Sequence, residues 1–343
     1  MNGTRELLLP RLCSRADGYF PELATEPPPC RAEVVFSLDR VNSSVMKVSL
    51  AKGQTRRIVY VKTLADTPAA RGVARARYEY DSLRGFAPKL AARSGRLLVP
   101  EPLDLFDDAA TLVTRELEGR SLEHLIARAA RRGIGIFSRR DAQTFCRLTG
   151  EWLAAFHSLE QLQADKPALL GRVVDDACRR LDSIRPHVGA AALLDRIAGR
   201  IRQESSRLPV GSLDVVPRHN DFAPRNVVAA PGRVGVLDFE DWGPGFAYED
   251  LMRFGACLET MPRFPYVSKA AVAALHEQFL DGYRGTRTID PEALRVFRLI
   301  GMAWQFGSEV SSLAGRPGAP ARRAAWIRRF VVKSYIAWFD KEL

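Results

Sequence analysis

Cysteine is scarce and never paired in sequence. Cys13, Cys30, Cys146, Cys178 and Cys257 lie scattered along the 343 residues, with no CxxC. An odd, unclustered set argues against a disulfide framework and a structural zinc site, and it fits a reducing cytoplasm. Long apolar runs are missing as well. No stretch approaches the roughly 20 apolar residues of a membrane span. The run "ELLLPRLC" near the start is too short, and too close to charge, for a secretory signal. There is no internal repeat, no low-complexity tract, no GxGxxG and no recognisable nucleic-acid module. Acidic residues are outnumbered 40 to 51, a net charge of +11. That surplus favours small anionic partners such as nucleotides and phosphates and allows peripheral association with an anionic surface. No specific nucleic-acid partner is expected.

The length favours two domains or lobes. Residues 1–30 carry the proline run "EPPPC" and read as an extended N-terminal extension. Three short β-branched runs follow, at 32–39, 44–51 and 57–64, an antiparallel meander. Val73, Ala76, Tyr80 and Leu83 share one helical face, and two more strand-like runs end near residue 118. Beyond "EGRSL" the pattern turns helical. Ser121 and Ser268 stand as helix caps, and Asp290-Pro291-Glu292 is a strong start signal. The expectation is an α+β chain with a sheet-rich domain over 31–118 and a mainly helical one over 119–343.

Inside the helical part, "RHNDFAPRN" (218–226) holds His219, Asp221 and Asn226 in the pattern H-x-D-x-x-x-x-N. Asp238 follows twelve residues after Asn226, between an apolar run and a glycine-rich turn. Phosphoryl transfer needs one carboxylate for the attacking hydroxyl, oxygen ligands for Mg2+, and a cation on the phosphates. Asp and Asn oxygens suit Mg2+ far better than sulfur or imidazole. A hairpin through "NVVAAPGRVGVLDF" would bring Asn226 and Asp238 to the same end of two strands.

This set resembles the aminoglycoside phosphotransferase and choline kinase family, relatives of the protein kinases. The resemblance covers nearly the whole chain after residue 30 and is strongest over 218–251. It implies a bilobal protein-kinase-like fold, a small antiparallel-sheet N-lobe and a larger helical C-lobe. By resemblance Asp221 is the catalytic aspartate, Asn226 and Asp238 are the metal ligands, and His219 supports the loop. Lys62 in "RIVYVKTL" matches the lysine that holds the α- and β-phosphates, with Glu79 its partner. Glu116 and Leu117 form the hinge for the adenine, and Asp250 matches a carboxylate found after the metal loop. The nucleotide loop departs from the pattern, with Asn42, Ser43 and Ser44 at its tip in place of glycines. Serine hydroxyls and backbone N–H groups can bind phosphate there. Glu240 replaces the glycine of the metal loop, giving "DFED". Arg225, four residues after Asp221, stands where some tyrosine kinases have an arginine, and it is read as touching the transferred phosphoryl group or an acidic substrate.

Plainer readings stand beside these. His157 at the end of an apolar helix reads as a packing residue. Glu240 and Asp241 could bind metal or a cationic substrate, or simply be solvated. The expected activity is an ATP- and Mg2+-dependent kinase for a small-molecule hydroxyl, with GTP the alternative donor. The acceptor region offers Glu240, Asp241, Glu249, Asp250 and Glu259, but also Arg253 and Arg263, with Trp242, Phe246 and Tyr248. That mixture favours a sugar-like or metabolite acceptor and keeps amino-alcohols and aminoglycosides as alternatives. A catalytically silent nucleotide-binding module of the same fold is the alternative from another class.

Overall fold

A computed structural model of the chain describes residues 2–39, 43–65, 69–133, 136–314 and 321–343. The first elements are α1 (Asn2–Tyr19), α2 (Pro21–Ala24), β1 (Arg31–Asp39), β2 (Ser43–Lys52) and β3 (Thr55–Leu64). Then come α3 (Ala69–Arg93), β4 (Leu97–Leu98), β5 (Pro102–Phe106), β6 (Thr111–Arg115) and β7 (Arg120–Ser121). The helices α4 (Leu122–Ala129), α5 (Ile136–His157), α6 (Lys166–Ser183), α7 (Arg185–Val188) and α8 (Ala191–Arg207) follow. Four short strands come next, β8 (Val215–Arg218), β9 (Val227–Ala230), β10 (Arg233–Val236) and β11 (Gly243–Phe246). The chain closes with α9 (Ala247–Thr260), α10 (Lys269–Arg284), α11 (Pro291–Ala314) and α12 (Ala321–Glu342).

Two compact units result, Met1–Gly119 with Ala230–Asp241, and Arg120–Ala229 with Trp242–Leu343. The strand β10 and the residues through Asp241 therefore belong with the first unit. The reason is local: β10 pairs in parallel with β4, Val234 beside Leu97.

The first unit is built on an antiparallel sheet of order β1-β2-β3-β6-β5. Side chains alternate across a strand, so Val59 and Val61 face one way and Lys62 the other. Met46, Val48, Leu50, Val59, Val61 and Val113 are buried against Leu8, Leu12, Ala16, Tyr19, Phe20 and Leu23. Residues 1–30 are thus not an extended lead-in. Leu8, Leu12 and Ala16 recur every four residues, the stripe of a helix lying on the sheet. Pro10 inside α1 and the prolines that follow hid it, since a proline removes one backbone hydrogen bond without ending a helix that is anchored by packing. Polar clamps add to the contact. Arg11 forks onto Asp108 at 2.8 and 2.9 Å, Arg15 reaches Asp104 at 2.7 Å, and Tyr19 donates to Asp104 at 2.5 Å.

The second unit is helical, and two glycines set its closest crossing. A Cβ at Gly150 of α5 would meet the Phe279 carbonyl oxygen at 2.0 Å, and one at Gly282 of α10 would meet that of Arg147 at 1.9 Å. Only glycine lets these backbones approach so closely. Trp152, Phe156, Phe222, Phe254 and Phe279 fill the space around the crossing, with Phe254 and Phe279 stacked at 4.0 Å. Ser268 accepts from the Ala271 N–H, and Asp290 accepts from those of Glu292 and Ala293, as caps should. Ser121 holds the cap position of α4, but its hydroxyl makes no capping bond.

If α1 completes the sheet's core, Leu12→Ala lowers stability by about 2–5 kcal/mol, read as a shift of the urea midpoint. An unchanged midpoint contradicts that role.

Candidate active site

In the first unit the alternation of β3 aims Lys62 at α3. Glu79 lies there on the buried stripe of Ala76, Leu83 and Phe86, while Asp81 two residues on is exposed. The Lys62 ammonium lies 2.9 Å from Glu79, 2.6 Å from Asp238 and 3.2 Å from Glu240. Glu79 spends its other oxygen on the Phe239 N–H at 3.2 Å. Phe239 is buried and packs on Phe86 of α3, ring centres 5.7 Å apart. The turn after β10 is thereby pinned to α3, with Asp238 in the left-handed region at φ 75°. Burial alone would lower the Lys62 pKa, but the three carboxylates outweigh it and hold the ammonium charged. Burial raises Glu79, opposed by Lys62.

Glu240 is not simply solvated, since Arg75 holds its Oε1 at 2.9 Å. Its Oε2 is near Lys62 yet makes no hydrogen bond of good geometry. Oxygens of Glu79, Asp238 and Glu240 all lie within 4.8 Å of one another. An all-oxygen set suits a hard divalent cation by its chemistry, and here each of its carboxylates is also paired with Lys62. Ser43 and Ser44 open β2, paired with Leu64 and Thr63 just past Lys62. Asn42 lies outside the described residues. After β6, the Glu116 N–H donates to the Ile58 carbonyl at 3.3 Å, its carboxylate pairs with Lys47 at 2.7 Å, and Leu117 packs on Gly235.

In the second unit, the segment 218–226 is held by Asp250 of α9, a carboxylate with no exposure. It accepts from the backbone N–H of His219 at 2.7 Å and of Asn220 at 3.0 Å, where Asn220 turns at φ 72°. His157 Nε2 lies 3.1 Å from the same carboxylate, and its Nδ1 2.9 Å from the Tyr283 hydroxyl. Because an ionised Asp250 only accepts, Nε2 carries the proton and Nδ1 accepts from Tyr283. Burial lowers the His157 pKa. Burial would raise Asp250, but the hydrogen bonds from His157 and the His219 backbone keep it low. Phe222 seats the loop in the aromatic core beside Trp152, at 5.8 Å.

Asp221, next to that anchor, is crowded. Arg225 donates to its two oxygens at 2.7 and 2.5 Å, and Arg253 to Oδ1 at 3.2 and 2.9 Å. The Asn226 side-chain amide donates to the Asp221 carbonyl and carboxylate, both at 2.9 Å. Arg253 is locked further by Gln305 at 2.5 Å and by the Trp304 ring at 4.2 Å. This contact had no sequence signal beyond an arginine one turn after Asp250, because its partner lies 32 residues away.

Several residues expected near an acceptor are structural instead. Phe246 and Tyr248 pack on Phe297 at 5.7 and 5.3 Å. Glu249 is buried against Arg218 and the Phe246 N–H, and Glu259 pairs with Arg298 and Trp338. A cavity of about 640 Å³, walled by α9, α10, α11 and α12, includes Arg263, His276, Arg298 and Trp338. Among the described residues no helix is long and apolar enough to cross a membrane.

The model of the phosphotransferase enzyme family matches residues 48–297, 250 of the 343 residues. Curated protein sequences give no match. Among solved structures, an amicoumacin kinase bound to AMP-PNP and Ca2+ is similar, with a TM-score of 0.59, 15% identity and 96% of each chain covered. A glucosamine kinase aligns with a TM-score of 0.56 at 17% identity, over 95% of this chain and 97% of that one. A choline/ethanolamine kinase family protein from Mesorhizobium loti gives 0.54 at 17% identity, over 96% of each chain. At such identities the likeness shows the fold, the bilobal α+β arrangement of the protein-kinase type.

The buried His157–Asp250 pair gives a pH prediction. The unfolded chain takes up a proton near the ordinary histidine value of 6.5 that folded His157 refuses, so stability falls as pH drops through that value. Asp250 adds to the loss below its ordinary 3.8. The melting temperature should fall between pH 7.5 and 5, and less steeply in His157→Gln. Parallel slopes for the two proteins contradict the assignment.

Proposed function

The chain belongs to the phosphotransferase enzyme family, and from that premise we propose that it is a cytoplasmic kinase moving the γ-phosphoryl group of ATP to a hydroxyl of a small molecule. The observation that carries this reading is the ion-pair cluster of Lys62 with Glu79 and Asp238. A lysine that three carboxylates keep charged is suited to holding nucleotide phosphates, as the phosphate-binding cation of this chemistry must.

In this reading Glu79 orients Lys62, and Lys62 neutralises the phosphates. Ser43 and Ser44 offer hydroxyl and backbone groups to the phosphates, while backbone groups of Glu116 and Leu117 take the adenine. Asp238 supplies a carboxylate oxygen and Asn226 an amide oxygen to the metal. A divalent ion such as Mg2+, once bound, neutralises charge building on the phosphates. Asp221 accepts the hydrogen bond of the attacking hydroxyl and then its proton. His219 and Asp250 shape the loop without touching the reactants. GTP remains an alternative donor, since nothing in the hinge residues discriminates the bases.

The acceptor reads as a sugar-like or other metabolite hydroxyl. Glucosamine and choline or ethanolamine are named for proteins of this fold, which supports small alcohols as a class. Against a polycation stands the pairing of Glu249 with Arg218 and of Glu259 with Arg298, while Asp250 is buried and hydrogen-bonded away from solvent.

With acceptor and Mg2+ present, Asp221→Asn should slow phosphoryl transfer by about 10²–10⁴-fold in an assay coupled to ADP release. Chelating the metal should abolish turnover, and Lys62→Met should weaken nucleotide binding. Undiminished turnover in Asp221→Asn would sink the proposal.

A further inference from the structure

We infer that the acceptor carries an anionic group, a carboxylate or a phosphate, beside the hydroxyl, and that Arg225 and Arg253 recognise it. This rests on the proposed role of Asp221. The first ground is charge. Asp221 brings one negative charge and the two guanidiniums two positive ones, so the group carries a surplus of one positive charge. Of the carboxylates around it, exposed Glu123 acts on Arg225 only through space, and the others are committed elsewhere. Asp176 is taken by Arg180 and Trp304, Glu309 by Arg263 and Tyr335, and Glu259 by Arg298 and Trp338. Gln305, the remaining partner of Arg253, is neutral.

The second ground is occupancy. For Asp221 to receive a hydroxyl, one of its present donors has to leave. Arg253 is the fixed one. Its side chain is 11% exposed, forked between Asp221 and Gln305, and stacked on Trp304. Trp304 is itself tied to Asp176 at 2.8 Å and covered by the Arg180 guanidinium at 4.2 Å. Arg225 is the movable one, 41% exposed, with Asp221 its one hydrogen-bond partner among the described residues. A partly buried guanidinium that gives up its carboxylate needs another anion. An acceptor bearing a carboxylate or phosphate provides it, so Arg225 exchanges Asp221 for the acceptor, and Asp221 turns to the hydroxyl. With a neutral or amino acceptor the transferred phosphoryl group is the one anion left for Arg225, and no preference for acids then appears in the titration.

Calorimetric titration of the full chain saturated with Mg2+ and AMP-PNP tests the inference with matched hydroxyl compounds. Gluconate is set against glucose and glucosamine, glycerate against glycerol, and glucose 6-phosphate against glucose. At least one acid should bind about 10–100-fold more tightly than its neutral or amino counterpart. The carboxylate and phosphate arms tell which anion is meant. Arg225→Gln should erase the preference. The inference is overturned if amines or neutral compounds bind equally well, if no acid binds, or if the preference survives in both Arg225→Gln and Arg253→Gln. Binding of AMP-PNP, measured in the same titrations, separates this outcome from failure of the kinase reading, in which the nucleotide itself would not bind.

Discussion

A carboxylate with no access to water, Asp250, holds the second unit's chemistry in place. Its oxygens take two consecutive backbone N–H groups of the loop and the imidazole of His157. That imidazole is carried by α5 and bonded to Tyr283 of α10, and those helices can meet only because Gly150 and Gly282 lack side chains. Burying an ionised carboxylate is costly unless every lone pair finds a donor. Here the donors come from the loop and from α5, with α10 behind His157, so the charge fixes their mutual geometry, and with it the position from which Asp221 projects.

The first unit solves a related problem with the opposite sign. Lys62 is the cation in a nest of carboxylates, and it stays charged because Glu79, Asp238 and Glu240 surround it. The sheet keeps it there. Val59 and Val61 are committed to the core beneath α1, so the pleat presents Lys62 to α3. Phe239, buried beside Phe86, brings Asp238 to the same cluster. Acid gathers around Lys62 in the first unit, and arginine around Asp221 in the second.

Much of this was legible in the sequence, wherever spacing carries geometry. The strands at 44–51 and 57–64, the position of Lys62 in the third strand and the sequence from Asp221 to Asn226 could be read because a turn or a pleat links the residues. Glu79 was named by resemblance, and its burial beside Ala76 and Leu83 is what sets it apart from exposed Asp81. What was not legible depends on contacts without a period. Arg253 meets Asp221 across 32 residues, and Pro10 with the later prolines disguised a helix whose Leu8, Leu12 and Ala16 are core. Phe246 and Tyr248 looked available to a ligand, and only packing against Phe297 shows that they are not.

The central claim is that the chain transfers a phosphoryl group to a small molecule through Asp221. The most direct measurement incubates the protein and [γ-32P]ATP with Mg2+ and a fractionated metabolite extract, then follows the label. The account predicts label in a small organic species, concentrated in the anion-retained fractions before phosphorylation, and none with Asp221→Asn. Label appearing only as inorganic phosphate, or reaching the same species with the variant, would contradict it.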